Sequence, residues 1–207
     1  MGRNSGGVRG SSSGKNGYSS LAKEAVDYYL DGNGYSLNSS LRKGDALTNE
    51  EKLLMKGLDE ITGSALKKDY TLYRGVPFET IFGEENKELL GFFYYKMSNP
   101  DDNSPFVMDS YNKVMSSLKK SYTDKGFMST STDASSAEGF GGNNNIVLQL
   151  KVPKGTKGID LDANRSVYST NQYEKEVLLT RGLTYKVGNF FVKDGKVYLK
   201  ASIVKKS

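Results

Sequence analysis

Glu174 and Glu176 sit two residues apart in "NQYEKEVLLTRG", at the mouth of an apolar run. If that run is a strand, its side chains alternate between faces, so the two carboxylates share one face. Such a pair is either the solvated edge of a strand or a place where two acids meet one substrate. Two other groups precede it in order: Arg74 in "LYRGV", and the hydroxyl triplet Ser129, Thr130 and Ser131 in "KGFMSTST". Each has an ordinary reading too, an Arg exposed at a turn and hydroxyls that suit a strand. The 207 residues contain no cysteine and no histidine, which excludes disulfides, thiol nucleophiles, histidine triads and the usual zinc sites. Catalysis in this chain has to run on carboxylates, hydroxyls, Lys, Arg and Tyr.

The elements that must position these groups are legible in part. "MGRNSGGVRGSSSGKNG", residues 1–17, is a Gly/Ser-rich stretch expected to form a disordered tail, leaving one domain over 18–207. Helical spacing runs from Ser19 to Asp31, with Leu21, Ala25 and either Tyr28 or Tyr29 on the apolar side. "SLNSSLRKG" predicts a second helix ending at Gly44. Thr48 and Glu51 have the spacing of a capping box, ahead of a third helix that buries Leu54, Leu58 and Ile61. "YTLYRGV" reads as the first strand, followed by helical patterns near 86 to 97 and 105 to 119. The remainder reads as strands: "GFMSTST", "NIVLQLKV", "GIDLD", "EKEVLLTR", "TYKVGNFFV" and "KVYLKASIV", with Asp194 and Gly195 turning the last hairpin. Helices first and mostly antiparallel strands later predict an α+β domain.

The net charge of +5 favours anionic partners without selecting one, and the scattered terminal lysines read as solubilising surface rather than a nucleic-acid footprint. No apolar run approaches the roughly 20 residues that span a bilayer, and the N-terminus has no signal-peptide apolar centre, so a soluble chain is expected.

As an ordered set, "YSLNSSLRKG", "LYRGV", "KGFMSTST", "AEGF", "IVLQLKVPKGTKGIDL" and "YEKEVLLTRGLTYKV" resemble the arginine, serine-threonine-serine, glutamate-X-glutamate class of mono-ADP-ribosyltransferases of bacterial toxins and phages. The resemblance covers about residues 20–202. It implies the ADP-ribosyltransferase fold, N-terminal helices packed on a mostly antiparallel two-sheet β core, and NAD as substrate with no metal. By resemblance, Glu176 stabilises the positive charge that develops on the ribose as nicotinamide leaves. Ser129 orients Glu176, while Thr130 and Ser131 knit the central sheets. Arg74 grips the pyrophosphate, the backbone of Gly75 meets the nicotinamide amide, Asn38 and Arg42 add contacts from the preceding helix, and Phe140 stacks on nicotinamide. Glu174 is the specificity residue: relatives that modify Asn carry Gln there, so Glu implies an arginine acceptor.

The chain departs from the pattern at Asn143, where relatives often carry Arg, and at Asn171, where an aromatic is usual; Tyr168 or Tyr173 then takes over target recognition. Residues 78–110 are longer than in compact relatives. The resemblance implies a protein substrate with an accessible arginine, with a cytoskeletal protein or a GTPase of a host cell as candidate partners. The setting it implies is a secreted or delivered effector or toxin, or a phage enzyme. An NAD glycohydrolase and a catalytically silent binding module on the same fold are the alternatives.

Overall fold

The computed structural model describes residues 17–139, 145–167 and 175–204. Helix α1 (Ser20–Tyr28) begins at Ser19, whose hydroxyl accepts from the N–H of Ala22. It runs into one π-helical turn, Tyr29–Asn33, before α2 (Gly34–Lys43) stops at Gly44, where φ is 80°. Helix α3 (Asn49–Ile61) opens on the expected capping box, with Thr48 and Glu51 each accepting the other's backbone N–H at 2.9–3.1 Å. Its buried face is Leu54, Leu58 and Ile61, as the periodicity requires.

The strands are β1 (Tyr70–Pro77), β2 (Ser121–Asp124), β3 (Met128–Ser131), β4 (Asn145–Val152), β5 (Gly158–Asp160), β6 (Glu176–Leu179), β7 (Leu183–Lys193) and β8 (Lys196–Ile203). They lie in the order β2-β7-β8-β4-β1-β3-β6-β5, every pairing antiparallel except β4 with β8. The two-sheet expectation takes the form of two halves, β2-β7-β8-β4-β1 and β3-β6-β5, joined at the registered pair Tyr73 with Ser131. The β7–β8 hairpin turns at Asp194 and Gly195, with φ of 50° and 72°, the left-handed pair of a type I′ turn.

Alternation along the short half decides what packs on each side. Met128, Val177 and Leu179 point into the main core with Leu72, Leu148 and Leu199 of the longer half. Leu178 points the other way, into a second core built with Phe127, Tyr29, Leu37, Leu58 and Ile61 of the helical lobe. The short half is thus sandwiched between the longer half and α1–α3.

Residues 78–110 form α4 (Phe78–Phe82), a 3-10 segment (Glu84–Leu89), α5 (Leu90–Ser98) and the start of α6 (Pro105–Ser116). Phe78, Phe82 and Phe93 make ring contacts with centroids 4.7–5.5 Å apart, and Phe82 and Phe93 pack on Phe190 of β7. Helix α7 (Ala134–Gly139) follows β3. The sequence patterns did not reveal α4, α7 or β2.

Candidate active site

Ser129 lies opposite Leu178 and Ser131 opposite Glu176 in the β3–β6 register. Facing residues on paired strands share a side of the sheet, so Ser129, Ser131 and Glu176 look toward the helical lobe, as Leu178 does. Thr130 alternates to the other face, where its hydroxyl donates to the carbonyl of Val177 at 2.5 Å and ties β3 to β6. Ser131 stands at the pair that joins the two halves, and its hydroxyl accepts from the N–H of Asp133 at 3.0 Å. Extended alternation ends at Glu176, because Lys175 has φ 48° while its carbonyl accepts from the N–H of Thr132 at 3.1 Å. The same-face argument for the glutamate pair therefore does not carry through Lys175. Glu174, Phe140, Asn143, Tyr168, Asn171 and Tyr173 lie outside the described residues.

Arg74 of β1 reaches this edge from the other half. Its Nη1 donates to the Ser129 carbonyl at 3.4 Å and its Nη2 lies 3.7 Å from a carboxylate oxygen of Asp124, with 17% of the side chain exposed. Gly75 follows it on β1, opposite Val147 of β4. Arg42, from the last turn of α2, grips Asp124 with two bonds of 2.9 and 3.1 Å and adds a third to the Phe127 carbonyl at 3.4 Å. Asp124 is held in turn by the N–H of Gly126 at 2.9 Å. A Cβ on Gly126 would come 2.7 Å from Asn38 Oδ1 and 3.2 Å from Arg42 Nη2, so the absence of a side chain there lets α2 close on the β2–β3 turn.

Asn38 is only 7% exposed. Its Oδ1 accepts from the N–H of Phe127 and its Nδ2 donates to the Tyr29 hydroxyl, both at 2.8 Å. The Tyr29 hydroxyl also lies 3.0 Å from Ser129 Oγ. Burial pushes the Tyr29 phenol above its ordinary pKa; Ser129 and the Arg74 charge oppose the rise, and the Glu176 carboxylate adds to it. Arg74 and Glu176 are thus within electrostatic reach of one buried hydroxyl. Gly34 makes room for that ring, since a Cβ there would strike the Tyr29 ring edge.

Of the residues picked out by resemblance, Asn38, Arg42, Arg74, Gly75, Ser129 and Glu176 gather around the junction of α2, β1, β3 and β6. Sequence reasoning missed Asp124 and Tyr29. Asp124 lies in a strand with no apolar alternation, and Tyr29 was one of two adjacent tyrosines read only as core. Two guanidiniums on one carboxylate leave a surplus positive charge, and Arg74 meets its partners only at long range. That donor set suits a diphosphate, which takes planar guanidinium groups. Among the described residues no group of three or more Asp or Glu is placed to hold a metal ion, and no helix is long and apolar enough to cross a membrane.

The model of one protein family, ADP-ribosyltransferase exoenzyme, matches residues 8–206. The chain belongs to this family. The resemblance to bacterial-toxin mono-ADP-ribosyltransferases carried by the ordered motifs is therefore borne out. Its fold is similar to that of an ADP-ribosyltransferase from Clostridium botulinum, with 23% identity, coverage of 92% of this chain and 90% of that one, and a TM-score of 0.67. A protein from S. aureus, solved with NAD, matches at 25% identity over 91% and 89% of the two chains with a TM-score of 0.66. An ADP-ribosyltransferase toxin from Paenibacillus larvae gives 21% identity, 92% and 89% coverage and a TM-score of 0.67. Comparison with curated protein sequences gives no match. The ADP-ribosyltransferase fold explains why one Arg, one hydroxyl strand and one Glu from distant parts of the chain meet.

Proposed function

We propose that this ADP-ribosyltransferase takes NAD as substrate and transfers ADP-ribose to an arginine of a target protein, releasing nicotinamide. The observation that carries the reading is the convergence of Arg74, Ser129 and Glu176 at the β1–β3–β6 junction, with Arg74 bonded to the Ser129 carbonyl and Glu176 on the Ser129 face.

Cleavage of the nicotinamide bond builds positive charge on the ribose, as in glycoside hydrolysis. A carboxylate fixed beside the ribose stabilises that charge where it forms, and Glu176 takes that part. Arg74 holds the diphosphate, Gly75 offers its backbone to the nicotinamide amide, and Phe140 supplies a stacking face. Arg42, with 38% of its side chain exposed, extends the cationic wall. Asn38, buried beneath that wall, acts through its internal bonds. Glu174 pairs with the incoming guanidinium and draws off its proton, so that the neutral nitrogen attacks the ribose carbon. Tyr168 or Tyr173 contacts the target. A Glu in place of Gln at 174 is what favours arginine over Asn as acceptor.

The test uses the whole chain with labelled NAD and a host-cell lysate. The reading expects nicotinamide release, a labelled protein and, by mass spectrometry, ADP-ribose on arginine. Nicotinamide release without a labelled protein would assign a glycohydrolase, label on Asn would overturn the acceptor, and no release at all would return the chain to a binding role.

A further inference from the structure

The bonds around Tyr29 have a direction that the atoms themselves dictate. The N–H of Phe127 can only donate, so the atom of Asn38 it meets at 2.8 Å must be the carbonyl oxygen. That fixes which end of the amide is NH2, and the NH2 can only donate, so the Tyr29 oxygen accepts from Asn38. The phenol has one hydrogen, and burial keeps it protonated. It is therefore free to go to the other neighbour, Ser129 Oγ at 3.0 Å. Ser129 then accepts on the Tyr29 side, and its own hydrogen is left for an acceptor on its own face. Glu176, diagonal to Ser129 across the β3–β6 pair, occupies that face.

We propose that Phe127 N–H, Asn38, Tyr29 and Ser129 form a one-way hydrogen-bond chain that makes Ser129 a donor toward Glu176, with Tyr29 and Asn38 as positioning residues of the reaction. The inference rests on the reading of Glu176 as the ribose-stabilising carboxylate. A directed chain holds the carboxylate in one rotamer and spares the site any reorganisation as charge develops. It gives the buried amide of Asn38 a function inside the protein, and it explains why Gly34 and Gly126 leave space for Tyr29 and Asn38.

Tyr29→Phe keeps the ring and removes the link. It is expected to lower kcat for nicotinamide release by about five- to tenfold, as for loss of one supporting bond, with KM for NAD within about twofold. In a Ser129→Ala background the same change is expected to cost nothing further in kcat, because Tyr29 acts through Ser129. Asn38→Asp is close in shape but cannot donate from its ionised side chain. Tyr29 would then donate to position 38 and Ser129 to Tyr29, turning the chain away from Glu176, so kcat should fall further than in Tyr29→Phe. Melting temperatures of all variants separate packing loss from these effects. With an active wild type, Tyr29→Phe at wild-type kcat, an undiminished Tyr29→Phe effect in the Ser129→Ala background, or an unaffected Asn38→Asp would each overturn the chain alone. A wild type that releases no nicotinamide overturns the NAD reading and this inference with it.

Discussion

Arg74 carries the cofactor half of the account because its guanidinium is largely buried while its contacts, at 3.4 and 3.7 Å, leave donor capacity unspent. Arg42 differs, since two short bonds commit it to Asp124. Arg74→Lys preserves charge but replaces a planar pair of donors with a point charge. NAD affinity measured by calorimetry is expected to fall by more than about tenfold, ~1.4 kcal/mol; a change within about twofold would remove Arg74 from the phosphate site. At this scale the sequence singled out Arg74, Ser129 and the glutamates by their chemistry, and the described residues bring Arg74, Ser129 and Glu176 together. It did not show Asp124 or Tyr29, because an Asp on a polar edge and a Tyr on an apolar helix face look ordinary until the fold places them against Arg42 and Ser129.

The element that assembles the site is the turn between β2 and β3. Asp124 at the end of β2 and Phe127 in the turn bind Arg42 and Asn38 of α2, and the Gly126 N–H between them holds Asp124, so one short segment fixes a helix against the strand that bears Ser129. Gly126→Ala would push a Cβ into Asn38, which is buried and bonded at both ends of its amide and has little room to yield. Overpacking of this kind costs roughly 1–3 kcal/mol. The expected result is a lower urea midpoint together with reduced nicotinamide release, and an unaltered midpoint would show that the turn gives way freely. Elements with strong local signals were legible: the Thr48–Glu51 box, the stop at Gly44, the Asp194–Gly195 hairpin and the alternating "YTLYRGV". Those without them were not. The strand "SYTD" lies at the sheet edge with no buried residue, and α4 and α7 are too short to show a helical period. The π turn at Tyr29–Asn33 interrupts a helix that the periodicity predicts to run on to Asp31.

For the molecule as a whole, the tyrosines that brace its packed layers set its response to alkali. Burial pushes Tyr185 up to about 12. Burial, followed by a bonded carboxylate, raises Tyr70 through Asp160 and Tyr198 through Glu138, and burial raises Tyr94. A phenol whose folded pKa lies above its unfolded value of about 10 contributes stability that is present below that value and lost as pH rises through the folded one. Thermal unfolding is therefore expected to shift downward as pH rises from about 10 to about 12, with Tyr185→Phe blunting the shift. A melting temperature flat across that window would contradict the burial of these hydroxyls.

The central claim is that this assembled molecule stabilises positive charge on the ribose of NAD with Glu176, while Glu174 serves the acceptor. The most direct measurement is nicotinamide release and transfer to an arginine acceptor by Glu176→Gln and Glu174→Gln, with folding checked by circular dichroism. Glu176→Gln keeps shape and removes charge, so both activities should fall by roughly 10²- to 10³-fold, the loss typical of one electrostatic stabiliser. Glu174→Gln should lose transfer while slow hydrolysis of NAD persists. Equal loss of hydrolysis in both variants would contradict the division of labour, and wild-type nicotinamide release by folded Glu176→Gln would contradict the account itself.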